Sequence, residues 1–269
     1  MAYVQAARLD RMFGWTGRRS LALGAYVLDL TTFILRAFMD WGGNARVFNR
    51  ATLQTLIGQL IFTGVDALPV ITLLALAVGL SITSQILALG QALGSEADTS
   101  ALLSNIVGVE LSSLLTAIVL IGRSGSAIAV DLGYMKLRRE VEGLELLGIN
   151  VNEFFIAPRI IGAALAQFIL AIYFATIALF GGVFLNGLIF SVQRTHELKR
   201  LAETLPPEQL AVFALKNLLF GITIAGTACY HGLRVRNSPT ELPQQTQQAI
   251  VNSLVLVFLG DGLLAVASR

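Results

Sequence analysis

The sequence predicts an all-α integral membrane protein, with about five transmembrane helices, an N-terminal interfacial helix and a cytoplasmic coupling helix. Three observations carry this. The 269 residues are 55% hydrophobic and only 13% charged, against about 25% charged in soluble domains. Mean hydropathy is +0.72. The apolar residues fall in long continuous runs, which suit helices of roughly 20 residues. In lipid a helix satisfies its own backbone hydrogen bonds and an open sheet cannot. A β-barrel would need short alternating segments instead.

Residues 20–41 are apolar but carry Asp29, Arg36 and Asp40, with Trp15 and Trp41 flanking. Each charge near the bilayer centre costs about 2.5–3.5 kcal/mol on insertion scales, so this segment is expected to lie in the interface. The first span is expected within Gln59–Leu89, with its core at Ala67–Ile82 and its beginning tilted or interfacial. The others are expected near Leu102–Ile121, Ile160–Phe184, Leu210–Tyr230 and Ile250–Ala267. Residues 1–50 are expected to form a cytoplasmic and interfacial segment, and 51–269 the membrane domain.

Charge sets the orientation. Fourteen of the 19 Lys and Arg residues fall in segments on one side, four on the other, and Lys216 lies inside a span. The positive-inside rule places the amino terminus in the cytoplasm and the carboxyl terminus outside. No cleavable signal peptide is expected, because the first 19 residues hold four arginines and no apolar core. The single cysteine, Cys229, permits no internal disulfide.

The stretch Gly122–Arg159 separates the two apolar halves and is expected to form a cytoplasmic elbow. Lys136–Gly148 reads as one short helix with a stripe of Leu137, Val141, Leu144 and Gly148, and with Arg138 and Glu142 spaced to pair. It is either a solvated loop helix or a coupling helix that docks in a groove of an ATPase. Lys136, Arg139, Glu140, Glu142, Gly143, Leu144, Leu147 and Gly148 are its candidate contact residues. Asp66, Glu110, Lys216 and Asp261 lie in or beside apolar runs, where a charge points to function. Glu110 is the candidate to face an interior cavity, with Leu76, Leu80 and Gln85.

Several function classes are excluded or weakened. No G-x-x-x-x-G-K-[ST] loop occurs, so the chain lacks that route to ATP hydrolysis. No His or Cys cluster has metal spacing, and nucleic-acid binding has no support. Gly122-Arg123-Ser124-Gly125 matches the G-x-S-G of rhomboid proteases, with His231 a conceivable base, although small residues at a span end also serve close helix packing. A secondary carrier for a hydrophobic solute is the other rival.

The run GRSGSAIAVDLGYMK, then EGLELLGIN, then APR, resembles the MlaE (YrbE) family of ABC transporter permeases. That family's G-R-x-G-[SA]-A-x-x-[AT]-E-[LI]-G-x-M segment is matched at Gly122, Arg123, Gly125, Ser126, Ala127, Leu132, Gly133 and Met135. Asp131 stands in place of Glu, and the following Pro-Arg is matched at Pro158 and Arg159. Where the family reads R-E-L-G-P, this chain has Val109-Glu110-Leu111-Ser112-Ser113. Its 234–249 loop lacks the family's glycines. The resemblance implies a homodimeric permease without a cofactor of its own in a bacterial inner membrane. ATP and Mg would be handled by a partner cytoplasmic ABC ATPase docked at Lys136–Gly148. A periplasmic MCE-domain protein would sit above, and the cargo would be phospholipid or a similar lipid.

Overall fold

The structure is a computed structural model that describes residues 24–41, 50–93, 102–190, 207–236 and 238–267. The described residues are helical, with short turns between helices and no strand. Helix α1 covers 24–41. Helix α2 (Arg50–Thr63) meets α3 (Leu68–Leu93) at a 3₁₀ turn, Val65–Ala67. Helix α4 runs over 102–137 and is followed by the short α5 (Glu140–Leu146). Helix α6 spans 151–190, α7 Pro207–Gly232 and α8 Glu241–Ala267. Five stretches are long and apolar enough to cross a bilayer: Leu53–Ile86, Ser104–Leu137, Asn152–Leu188, Leu210–Gly232 and Glu241–Ala267. Helix α1 is not among them. The arginines at 8, 11, 18 and 19, and most of the 1–50 segment, lie outside the described residues.

Helices α6 and α7 form the centre of the bundle. The first half of α6 carries α2, its second half carries α3, and the end of α4 packs against α7 and α8. Small residues set these approaches, as in membrane helix packing generally. A Cβ on Gly221 would fall 2.4 Å from Ala164 Cα, and one on Gly79 would fall 2.3 Å from the Ala178 carbonyl oxygen. One buried cluster gathers Ile71, Val107, Leu120, Phe174, Phe220 and Ile224. A second gathers Ile128, Ile156, Ile160, Ala225 and Cys229, and Ala37 of α1 joins it. Ile34 sits where Gly226 has no side chain, 2.5 Å from where its Cβ would be. Helix α1 turns Leu28, Leu35 and Met39 outward, each more than half exposed, the pattern expected of an interfacial helix.

Three expectations are corrected. Helix α4 does not stop at Ile121. It continues through Gly122–Ala127 to Leu137, so the small-residue cluster is helical wall and the elbow begins only at Arg138. Two π turns, Ser104–Leu111 and Ile121–Gly125, are absorbed within it. Its 34 apolar-span residues measure roughly 50 Å against a hydrocarbon core of about 30 Å, so the helix is longer than the hydrocarbon core is thick. Secondly, Lys136–Gly148 is not one helix. Arg139, with φ 57°, breaks it before α5. Thirdly, the last span begins at Glu241, not Ile250. Pro243 falls in its first turn, where a missing N–H costs nothing, and the Gln-rich stretch continues as helix.

Candidate functional site

Helix α5 is closed by a Schellman motif. The Ile149 N–H donates to Leu144 O at 3.0 Å, and the Gly148 N–H donates to Glu145 O at 3.0 Å. Gly148 at φ +75° supplies the left-handed residue this ending needs. Val141 is buried and Leu144 packs half-buried against the second core cluster, so this face of the stripe points inward. The next residues point outward: Leu146 is 88% exposed and Leu147 78%. Gly143 has open space around it. A shallow groove of about 300 Å³ begins at this corner, lined by Glu145 and by 148–152.

The charges differ from the expected pattern. Glu142 pairs with Lys136 at 2.5 Å, not with Arg138. Arg138 approaches Glu140 at 3.8 Å. The hydrogen bond from the Lys136 ammonium holds the Glu142 carboxyl below its ordinary range. Asp40 of α1 accepts from Asn152 Nδ2 at 2.9 Å, which ties α1 to the segment just after α5.

The family-motif residues divide into packing and pairing roles. A Cβ on Gly133 would fall 2.3 Å from Leu242 of α8, and one on Gly125 3.3 Å from Ile224 of α7. A Cβ on Gly122 would meet nothing within 4 Å, and Ala127 is half-buried. Asp131 pairs with Arg159 at 2.5 Å, joining α4 to α6. Pro158 is buried at the start of the regular part of α6. Arg123 pairs with Asp66 at 3.4 Å and donates to Phe62 O at 3.1 Å.

Deeper in the bundle, Lys216 is 2% exposed. Its Nζ lies 2.5 Å from Glu110 Oε2 and 2.5 Å from Asp261 Oδ1, and 5.9 Å from the centre of the Phe220 ring. One ammonium against two carboxylates leaves one negative charge when all three are ionised. The Glu110 side chain is 44% exposed and that of Asp261 15%. Below the cluster, Asn217 Nδ2 donates to Ser113 Oγ at 2.9 Å. Gln167 Nε2 donates to Asn217 Oδ1 at 3.1 Å and to Ser113 O at 3.2 Å. All three residues are fully buried. Ser113, where the family pattern has Pro, therefore supplies a hydroxyl to a buried network.

Of the four candidate cavity residues, Leu76, Leu80 and Gln85 lie on α3 and Glu110 on α4. Leu76 lies where Gly181 of α6 leaves room for it, and Leu80 O accepts from Asn186 Nδ2 at 3.3 Å. Gln85 is exposed and reaches Ser81 Oγ at 3.4 Å. An apolar cleft of about 130 Å³ opens elsewhere, between α4, α6 and α7, lined by Val109, Ile172, Leu179, Phe180, Leu210 and Phe213 among others. Of the four, only Glu110 neighbours it, one residue along α4 from Val109.

Lys216, Asn217 and Gln167 as a buried set escaped sequence reasoning. The available signal was a lysine, an asparagine and a glutamine inside apolar runs. Among the described residues Ser124 and His231 do not pair as serine chemistry would need. Ser124 Oγ is buried with no hydrogen-bond partner among the described residues. His231 is instead held by Gln245 at 3.0 Å, Asn252 at 3.0 Å and Tyr26 at 3.2 Å.

Comparison with known proteins agrees with this architecture. The chloroplastic protein trigalactosyldiacylglycerol 1 of Arabidopsis thaliana is 29% identical over 247 residues, covering 92% of this chain and 67% of that protein. A probable ABC transporter permease protein of Synechocystis is 26% identical over 220 residues, 82% of each chain. One from Rickettsia prowazekii is 24% identical over 212 residues, 79% of this chain and 82% of its own length. The family model described as Permease MlaE matches residues 56–267, and with its five apolar spans the chain is a multi-pass membrane protein belonging to the MlaE permease family.

Proposed function

We propose that the chain is the membrane subunit of an ABC transporter, that a separate cytoplasmic ATPase drives it, and that it moves phospholipid or a similar lipid between an inner membrane and the periplasm. The relatives named as probable ABC transporter permeases support the class. The relative named for a galactolipid supports a lipid cargo. The observation that carries the motor is the corner of α5. Leu146 and Leu147 are largely exposed at the end of a helix closed by a Schellman motif. An exposed apolar pair at the polar end of a membrane bundle is suited to a protein partner. The contact set is then Glu140, Gly143, Leu146, Leu147 and the groove after them. Lys136, Glu142 and Leu144 brace it from inside, while Arg139 and Gly148 shape the turns.

In this reading two copies pair through exposed apolar helix faces, with Leu73, Phe184 and Leu263 among the exposed residues. An MCE-domain protein receives or supplies lipid outside. The apolar cleft suits an acyl chain, and the adjoining Glu110–Lys216–Asp261 cluster supplies charges to a polar headgroup. The amino terminus is cytoplasmic and the carboxyl terminus periplasmic. The test is gentle purification of the tagged protein from its host, with protein and lipid mass spectrometry. Stoichiometric ATPase, MCE-domain protein and bound phospholipid are expected. A chain that purifies without any ATPase overturns the proposal and moves the weight to an ion-coupled carrier, for which the buried charge cluster is the favouring observation.

A further inference from the structure

We infer that Arg123 is a positioning residue for transport: it pins a hinge between α2 and α3, and through it motion of the docking corner reaches the wall formed by α3. The inference rests on α5 being the ATPase dock.

The hinge is visible in the backbone. The last i→i−4 bond of α2 runs from the Gly64 N–H to Leu60 O at 2.8 Å, the next, from the Ala67 N–H to Gly64 O at 3.1 Å, is of the 3₁₀ kind, and this turn leads into α3. Such a break leaves carbonyls at the end of α2 without helical partners, and a carbonyl left unpaired away from water is costly. Arg123 answers this from a different helix. Its Nη1 donates to Phe62 O at 3.1 Å, its Nη2 lies 3.4 Å from Asp66 Oδ2, and its guanidinium sits 5.5 Å from the centre of the Phe62 ring. The cation thus stands at the carboxyl end of α2, while its acidic partner stands at the start of the next helical turn. Both positions favour those signs of charge.

Arg123 itself lies in the π turn Ile121–Gly125 of α4, a kind of irregularity often found at functional sites. From there α4 is uninterrupted to Leu137, a rod of roughly 20 Å that ends at the turn into α5. Eight residues along, Asp131 grips Arg159 of α6. One rigid helix therefore connects the docking corner with a broken helix and with the central helix. The Arg123 and Asp66 side chains are 31% and 52% exposed, so their pairing adds little to stability. It is a contact that opens and closes without unfolding anything, as a hinge clasp requires.

The experiment uses the complete complex in proteoliposomes of phosphatidylethanolamine and phosphatidylglycerol, with a fluorescent phosphatidylethanolamine as probe. ATP hydrolysis and lipid movement are measured separately, and their ratio is the readout. Arg123→Gln is expected to assemble with its ATPase, melt within about 2 °C of the parent, and hydrolyse ATP within about twofold, while lipid moved per ATP falls about tenfold or more. Arg123→Lys is expected to recover part of the ratio, because it keeps the charge but loses one of the two simultaneous donor contacts. The exchange Asp66→Arg with Arg123→Asp is expected to leave the ratio low, because an aspartate at 123 has no N–H to donate to Phe62 O. An unchanged ratio in Arg123→Gln overturns the hinge and leaves the proposed function intact. A loss matched by an equal loss of assembly or melting temperature also overturns it, since the role is then only structural. A parent protein that holds no ATPase or moves no lipid overturns both readings.

Discussion

Replacing Lys216 by Met would remove the cation from between two carboxylates and keep most of its volume. The methionine fits a site whose lysine is 2% exposed. The loss falls on Glu110 and Asp261, which face the vacated position at 2.5 Å each. Breaking a buried ion pair from one side costs about 3–5 kcal/mol, because a charge is left uncompensated. The two carboxylates do not share that equally. Asp261 is 15% exposed and carries most of it, while Glu110 at 44% is largely relieved by solvent. For a chain of this size each kcal/mol moves the melting temperature by about 2–4 °C, so Lys216→Met should lower it by about 6–20 °C in detergent. Asp261→Asn should cost less, since Lys216 keeps Glu110, and Glu110→Gln should cost least, about 1 kcal/mol or under. Combining Lys216→Met with Asp261→Asn should recover part of the loss. Differential scanning fluorimetry of the four variants checks the order. Glu110→Gln proving as harmful as Lys216→Met, or Lys216→Met proving neutral, would refute the argument that burial sets the ranking.

Other expectations concern the dock, the packing and the serine. Leu146→Ala and Leu147→Ala should each weaken ATPase association about tenfold or more, from about 1.5–3 kcal/mol per buried leucine, with the melting temperature unchanged because both are exposed. Pull-down titration measures this. Leu144→Ala should do the reverse and lower the melting temperature, since its side chain packs on the core. Gly221→Val places a branched side chain against the backbone of Ala163 and Ala164. It should cost at least about 1–3 kcal/mol or prevent expression, read by fluorescence-detected size exclusion. Ser124→Ala should leave lipid transport at the parent rate. A full loss with normal assembly would revive serine chemistry.

The sequence by itself determined the class. Runs of apolar residues longer than a membrane is thick leave helices as the physical solution, and the five expected spans correspond to five long apolar helices. The run around Gly122–Arg159 was enough to suggest the family. Boundaries were less legible. Nothing in Lys-Leu-Arg-Arg-Glu announces a stop at Arg139, because a left-handed arginine has no sequence signature and is an uncommon conformation. The early start of α8 did have one: Ser238-Pro239-Thr240-Glu241 has capping-box spacing, hidden by the glutamines that follow. Tertiary structure alone decided which side chains meet. Lys216 finds Glu110 from 106 residues away, and Arg123 finds Phe62 from 61 away. Hydropathy records that a segment is buried in lipid or protein, but not which face turns to which helix. That choice is made by small residues such as Gly79 and Gly221, whose missing side chains let two backbones touch. Once they touch, a charge as deeply buried as Lys216 has no water to turn to and must pair with whatever the packing brings near.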